Sequence, residues 1–273
     1  MAKSVFAEMQ EAQYDVIGVP AKRQTLNEIV AFFKKDEQWE HYCELIAKAR
    51  KLKKETMMEA DMFHIPMEFP IRELPEEFRH DSCGLCKGTH ILQAGRAVFP
   101  VKDIKGDVAG FCGWDKFDQP KYLDSRNYGY IPKDTMFFGM ERLADYYKGN
   151  FTLDSSLSQY QPNEPWLIVV EGMMCMFALR EMGFPAVAKL GSYTSPYVKE
   201  MMRRFGKHCI QISDADEAGN KDRFYLQKDI PEMKIVQSKI AKDFDDSRQV
   251  NPEVYEDIAK MMKSRWYRPK YFK

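Results

Sequence analysis

The stretch from residue 166 to residue 213 decides the fold and reads WLIVVEGMMCMFALREMGFPAVAKLGSYTSPYVKEMMRRFGKHCIQIS. Short apolar runs (WLIVV, AVAKL and HCIQIS) alternate with two segments that have the composition of helices, and KIVQS at 234–238 predicts a fourth strand. Gly183 and Gly206 close the two helical segments, and Pro196 stands near the start of the second; both residue types are favoured at these positions. A repeated strand–helix alternation predicts a parallel sheet in an α/β fold.

Three carboxylates follow strands of this predicted sheet. Glu171 ends WLIVVE, and Asp214 and Asp216 follow HCIQIS in the segment DADEAGN. Ligands of open α/β sheets bind at the carboxyl ends of the strands. A single aspartate at a strand end more often caps a helix. Three carboxylates together predict an oxygen-rich site for Mg²⁺ or Mn²⁺, of the kind that supports phosphoryl transfer.

Two regions with different sequence patterns precede this sheet. Residues 1 to 65 have the pattern of helices, with Leu26, Ile29, Val30 and Phe33 at helical spacing. The segment RAVFPVKDIKGDVAGFCGWD predicts a hairpin, because two β-prone runs flank the turn DIKGD. We therefore expect four parts: a helical region with a linker at 1–75, a basic α+β lobe at 76–150, the parallel-sheet domain at 164–250, and a helix with a basic tail at 251–273.

The composition is that of a globular protein. Hydrophobic residues make up 44% of the chain, and 41 basic residues balance 41 acidic ones. This balance argues against a protein that coats DNA without specificity, so a nucleic-acid contact would need local basic patches. The N-terminus has no secretory pattern, and no apolar run is long enough to span a membrane. We expect a cytoplasmic protein with reduced cysteines.

Several segments together resemble the bacterial DnaG-type primases. They occur in the primase order over roughly residues 90 to 250: RAVFPVKDIKGDVAGFCGW at 96–114, QPKYLDS at 119–125, IPKDTMFFGM at 131–140, VVEG at 169–172, AVAKLG at 186–191, DADEAGN at 214–220 and KDFDD at 242–246. The glutamate and the DxD pair alone are also typical of topoisomerases and some nucleases that share the TOPRIM fold. The upstream segment from Arg96 to Ser125 is what favours the primases.

The resemblance implies a TOPRIM parallel-sheet core with a preceding α+β basic lobe and a helical N-terminal region. It implies metal-dependent synthesis of short RNA primers from NTPs on single-stranded DNA, a nucleotidyltransferase reaction, with a replicative helicase as a further partner. The small format suggests a stand-alone version encoded by a phage or plasmid. The implied site residues are Glu171, Asp214 and Asp216 for Mg²⁺ or Mn²⁺, Lys121 and Lys133 for triphosphate or template phosphate, and Arg96 on the same basic surface.

Two positions depart from the primase pattern. Cys175 stands where primases carry an acidic residue, and a neutral thiol is a poor ligand for Mg²⁺. Trp114 replaces an arginine, and it could stack a base but could not pair with a phosphate. Two alternatives to primer synthesis therefore stay open: a TOPRIM nuclease that hydrolyses phosphodiesters, and a non-catalytic subunit that binds DNA or a helicase.

A second metal-like pattern lies in HDSCGLCKGTH. His80, Cys83, Cys86 and His90 have a spacing compatible with zinc, because C-x₂-C supplies half of a tetrahedral site. The alternative is a pair of reduced cysteines in a glycine-bearing loop. A zinc site here would stand in for the separate zinc-binding domain of primases, which is not recognisable in this sequence.

Overall fold

A computed structural model describes residues 20–80, 83–115, 121–124, 135–191 and 194–273. The chain divides into two compact units, Met1–Lys133 and Asp134–Lys273. Each unit has its own sheet and its own apolar core.

The described residues of the first unit join helices to a small antiparallel sheet. Its elements are α1 (Pro20–Phe33), α2 (Trp39–Arg50), α3 (Lys54–Glu59), β1 (Phe63–His64), β2 (Cys86–Lys87), β3 (His90–Ile91), β4 (Ala97–Lys102), β5 (Val108–Trp114) and β6 (Tyr122–Asp124). The main sheet has the order β1-β4-β5-β6, and β2 pairs with β3. Phe33 of α1 stacks on Phe63 of β1, with ring centroids 4.8 Å apart, and Phe63 meets Phe111 of β5 edge-on. The apolar stripe of the first helix thus becomes the core of this unit.

The predicted hairpin around DIKGD is present. β4 and β5 pair antiparallel from Ala97↔Trp114 to Lys102↔Val108. The Asp103 carboxylate accepts hydrogen bonds from the backbone N–H groups of Lys105 and Asp107, at 2.8 and 3.0 Å. A short acidic side chain at the start of the turn therefore satisfies two backbone donors, the usual reason for aspartate at such a position.

The second unit is built on a five-stranded, mainly parallel sheet. Its strands are β7 (Phe137–Phe138), β8 (Leu167–Val170), β9 (Ala186–Lys189), β10 (Cys209–Ser213) and β11 (Lys234–Gln237), in the order β11-β10-β8-β9-β7. The four strands β8 to β11 are parallel, and β7 is an antiparallel edge strand. All four predicted strands are confirmed, and β8, β9 and β10 are completely buried.

The described residues of this unit include the helices α4 (Leu143–Tyr147), α5 (Met173–Glu181), α6 (Pro196–Phe205), α7 (Glu217–Asp229), α8 (Phe244–Val250) and α9 (Val254–Lys263). Side chains cap several of them. Ser195 accepts a hydrogen bond from the Val198 N–H at the start of α6, and Asp216 and Asp243 cap α7 and α8. These caps satisfy backbone donors that the first helical turn leaves unpaired.

The unit boundary differs from the predicted four-part division. Residues 135–150 belong to the second unit, because Phe137 and Phe138 pair with β9. The C-terminal tail also belongs there, because Lys273 exchanges backbone hydrogen bonds with Gln237 of β11. The N-terminal helices share a core with the antiparallel sheet. The four-part division stays a prediction, and the two compact units follow strand pairing and core packing.

Within the described part of the chain, no helix is both long and apolar enough to cross a membrane.

Candidate functional site

The three predicted carboxylates lie together at the carboxyl ends of β8 and β10. These strands are neighbours, with Val170 opposite Ile212. The Oε1 atom of Glu171 accepts a hydrogen bond from the Asp214 N–H at 3.2 Å. Asp216 caps α7 and accepts a hydrogen bond from the Gly219 N–H at 2.8 Å. A Cβ at Gly219 would overlap the Asp214 carbonyl oxygen and press on Glu171 Oε1, so the glycine of DADEAGN permits this close approach.

The three carboxylates have different electrostatic surroundings. Burial raises the pKa of Glu171, against the opposing effect of Lys189. Burial and the nearby charge of Glu171 raise the pKa of Asp214 to about 7. The Gly219 N–H and the Lys242 ammonium instead lower the pKa of Asp216. Burial is the main cause of both raised pKa values, and the charge of Glu171 adds to it at Asp214. A bound cation would favour the ionised form of both acids.

The donor chemistry fits a divalent metal, but the donors are engaged within the protein. The two oxygens of Asp216 contact the Gly219 N–H and the Lys242 ammonium, the latter at 3.0 Å. Among the described residues, no three His, Cys, Asp or Glu side chains are already arranged to hold an ion. The Lys242 side chain is 62% exposed and can therefore leave Asp216 at little cost. The assignment of these residues as metal ligands stays a prediction.

A buried lysine adjoins the acidic group and was not among the predicted site residues. Lys189 ends β9, and its Nζ lies 2.6 Å from Asp222 Oδ2 and 3.9 Å from Glu171 Oε1. Asp222 also accepts hydrogen bonds from the Thr194 hydroxyl and the Gln211 amide. The signal in the sequence was a lysine ending an otherwise apolar strand, AVAKL, although its partner lies 33 residues away.

The predicted basic residues lie in the first unit, except that Lys133 lies outside the described residues. Arg96 precedes β4 and Lys121 precedes β6, and the pairs Ala97↔Trp114 and Trp114↔Tyr122 place both at one end of the sheet. Arg96 is only 4% exposed, so its guanidinium does not form part of an open surface. Lys121 is half-buried. Their phosphate-binding roles stay predictions.

The idea that Trp114 stacks on a base is wrong for this conformation. Its side chain is buried, and the Arg50 guanidinium lies 5.7 Å from the ring centroid. Cys175 is likewise buried in α5. The two departures from the primase pattern are therefore both buried side chains.

The structure does not gather the four residues of the zinc pattern. Cys83 and Cys86 are buried, and the Cys83 thiol donates a hydrogen bond to the Glu77 carbonyl at 3.4 Å. His80 and His90 are exposed. The two residue types thus differ in environment, and a four-ligand site would require both histidines to turn inward. Zinc binding stays a prediction.

Known proteins are similar to this chain in the region that contains the three carboxylates. Residues 168–248 match the family described as Toprim-like. A DNA primase of Legionella pneumophila is 34% identical over 142 residues, which are 50% of this chain and 22% of that protein. A DNA primase of Escherichia coli K12 is 32% identical over 126 residues, or 45% and 19% of the two chains. The chain thus spans about a fifth of the length of these relatives.

Solved structures extend the likeness to most of the chain. The DnaG catalytic core has a TM-score of 0.69 at 21% identity, over 87% of this chain and 80% of that one. A DnaG primase catalytic domain bound to ssDNA has a TM-score of 0.68 at 20% identity, over 88% and 77%. At such identities the likeness establishes the fold. The chain therefore carries a Toprim-like domain, is related in sequence to bacterial DNA primases, and has the fold of the DnaG catalytic core.

Proposed function

We propose that this protein is a nucleotidyltransferase that makes short RNA primers from NTPs on single-stranded DNA. The observation that carries the proposal is the convergence of Glu171, Asp214 and Asp216 at the carboxyl edge of the Toprim-like sheet. The sequence likeness to DNA primases supports this function over other uses of the same acidic group. The activity would take place in the bacterial cytoplasm, with a replicative helicase as a further partner.

The three carboxylates would hold Mg²⁺ or Mn²⁺. Such an ion, when bound, draws charge from a triphosphate and favours ionisation of the attacking 3′-hydroxyl. The new bond joins that hydroxyl oxygen to the α-phosphorus of the incoming NTP, and pyrophosphate leaves. The Gly219 N–H fixes the Asp216 carboxylate, so this ligand is oriented before the substrate arrives. Lys121 and Lys133 would contact triphosphate or template phosphate as point charges. A substrate-binding role for Arg96 would require its buried guanidinium to become accessible.

The acidic group is tested by Glu171→Gln and Asp214→Asn. Each variant keeps the shape of the side chain and removes one charge, so we expect primer synthesis to fall at least about a hundredfold in Mg²⁺ while the fold is retained. The measurement is incorporation of labelled NTPs on a mixed single-stranded template, with circular dichroism as the check on folding. Asp229→Asn is a matched control, because Asp229 lies at the far end of α7 and pairs with Lys199.

The same assay separates the alternatives. Labelled DNA that is cut without NTPs, and spared by Glu171→Gln, would replace primer synthesis with nuclease activity. DNA binding without either reaction, at any Mn²⁺ concentration, would identify a non-catalytic subunit. Near-normal turnover by Asp214→Asn would remove the assignment of the metal ligands.

We also propose zinc binding by His80, Cys83, Cys86 and His90, supported by the C-x₂-C spacing. Both thiols would have to ionise, so the metal would be lost in acid or chelator. Elemental analysis should find about one zinc per chain in the wild type and little in Cys83→Ser. A wild-type protein that lacks zinc after mild chelation would reduce the loop to a pair of buried cysteines.

A further inference from the structure

A buried cation lies beside the acidic group. The Lys189 side chain is only 2% exposed, and its ammonium lies 3.9 Å from Glu171 Oε1. The strand register explains the proximity. Val170, the last residue of β8, is opposite Ala188, so Glu171 directly after β8 and Lys189 at the end of β9 follow a register pair of two neighbouring parallel strands. A charge buried this deeply is retained only where partners compensate for its lost hydration.

Asp222 holds the ammonium in place. This residue lies in the second turn of α7, and its Oδ2 atom is 2.6 Å from Lys189 Nζ. The Thr194 hydroxyl and the Gln211 side-chain amide donate to the same carboxylate, at 2.9 and 3.0 Å. The anchor is therefore itself fixed by two hydrogen bonds. Lys189 cannot swing out into solvent as the exposed Lys242 can.

The ammonium lies near the same oxygen of Glu171 that contacts Asp214. Both contacts of this carboxylate with described residues, the Asp214 N–H and Lys189 Nζ, are made by Oε1. On α5, in the turn that follows Glu171, the primase-like pattern would place a further acid, but this chain has Cys175. The centre thus has one negative charge fewer than that pattern and one fixed positive charge at its edge.

We propose that Lys189 is a side chain fixed in position beside this centre, which holds the Glu171 carboxylate and confines the centre to a single divalent ion. The role rests on the proposed metal assignment of Glu171, but not on primer synthesis. A fixed positive charge a few ångströms from a metal ligand repels a second ion strongly in a partly buried site. Asp222 weakens this repulsion, because its carboxylate lies against the ammonium and partly neutralises it. Lys189 is therefore a positioning residue that acts through Glu171.

The test is Mn²⁺ binding to the full chain, followed by electron paramagnetic resonance of the free ion. The wild type should bind one Mn²⁺ at this centre, and Glu171→Gln should weaken that binding. Asp222→Asn should lower the Mn²⁺ affinity about tenfold, because the ammonium then acts on Glu171 without its counter-charge. Adding Lys189→Met to Asp222→Asn should return the affinity to the wild-type level or above it, and should admit a second ion.

The double variant is chosen because Lys189→Met alone would leave Asp222 charged and buried. Neutral replacement of both partners of a buried ion pair is commonly tolerated. Asp229→Asn, on the same helix but in the pair with Lys199, should leave Mn²⁺ binding unchanged. A pair that only stabilises the fold would give a double variant no better than Asp222→Asn, and that result would overturn the proposal.

Two further outcomes are decisive. Two Mn²⁺ ions bound with similar affinity by the wild type would contradict the single-ion centre. Mn²⁺ binding that Glu171→Gln leaves unchanged would remove the metal assignment itself, and the role of Lys189 with it. The stoichiometry of the wild type and its response to Glu171→Gln therefore distinguish failure of the inference from failure of the metal site.

Discussion

At the scale of single residues, the centre contains three carboxylates and two lysines that differ in burial. Lys189 is buried and fixed, whereas Lys242 is exposed and pairs with Asp216 from the surface. Burial, together with the nearby charge of Glu171, raises the pKa of Asp214 to about 7. Its protonation should therefore be visible in the stability of the metal-free protein.

Metal-free wild-type protein should lose stability as the pH rises, and we predict that Asp214→Asn abolishes this pH dependence. The folded-state pKa of Asp214 lies above its ordinary value of 3.8, so the folded protein binds this proton more tightly than the unfolded chain. Stability is then lost as the pH rises from about 4 through about 7. Urea unfolding in chelator should show the variant more stable than wild type at about pH 8, by up to about 4 kcal/mol, and little different at about pH 4.

Asp216→Asn is the control with the opposite sign. The Gly219 N–H and Lys242 lower the pKa of Asp216, so its ionised form contributes stability that is present above its unfolded pKa and lost as the pH falls. This variant should be less stable than wild type at neutral pH. Equal pH profiles for wild type and Asp214→Asn would show that folding does not raise the pKa of Asp214.

Lys121→Ala tests the basic residues. Loss of one phosphate contact should weaken DNA binding for all sequences alike and reduce the dependence of log affinity on log salt by about one unit of slope. Fluorescence anisotropy over a range of salt concentrations measures this slope. Lys105→Ala, in the hairpin turn, is the matched control on the same unit. An unchanged slope would make Lys121 an ordinary surface lysine.

At the scale of elements, the parallel sheet depends on how its helices end. Gly183 follows α5 with φ +77°, and Gly206 follows α6 with φ +53°. A Cβ at Gly183 would overlap the Thr152 carbonyl oxygen, whereas one at Gly206 would meet only Glu232 Cγ at 3.9 Å. Both glycines permit a positive φ, but only Gly183 also permits close packing against another segment.

We predict that Gly183→Ala destabilises the protein more than Gly206→Ala does. At Gly206 an alanine adds the strain of positive φ, about 1 kcal/mol. At Gly183 it adds that strain and a clash with backbone that has to shift, about 3 kcal/mol or more in total. Urea denaturation of the two variants measures the difference. Equal losses would show that the backbone around Thr152 yields easily.

At the scale of the whole molecule, each unit closes its own core from segments far apart in sequence. In the first unit, α1 packs on strands about 30 and 80 residues further on. In the second unit, Lys273 pairs with Gln237, and Phe272 is 1% exposed beside the β11 edge. The tail protects an edge strand that would otherwise present unpaired backbone groups.

We therefore predict that Phe272→Ala destabilises the second unit by about 3 kcal/mol, since it removes a fully buried aromatic side chain. The loss should appear as faster amide exchange in β11, with exchange in β4 and β5 unchanged. Trp266→Ala is the control from the same tail, because Trp266 is 88% exposed and should leave exchange as in wild type. Unchanged exchange in Phe272→Ala would show that the tail is not needed to cover the strand edge.

The sequence by itself determined the local and periodic features of this protein. Buried parallel strands are continuous apolar runs, so β8, β9, β10 and β11 could be predicted in their order along the chain. The hairpin could be predicted because its turn is stabilised by hydrogen bonds between residues close in sequence. Carboxylates that directly follow neighbouring strands must meet at one sheet edge, so the grouping of Glu171, Asp214 and Asp216 could also be predicted.

Only the tertiary structure decided the features that depend on partners distant in the chain. The pairing of Lys189 with Asp222 joins a strand end to a helix 33 residues away, and a lone lysine in a sequence does not reveal which carboxylate will neutralise it. The burial of Trp114 and the docking of Phe272 on the sheet are likewise set by packing. Strand and helix periodicity is a property of a few consecutive residues, whereas burial and ion pairing arise only when separate segments compete for the same space and the same charges.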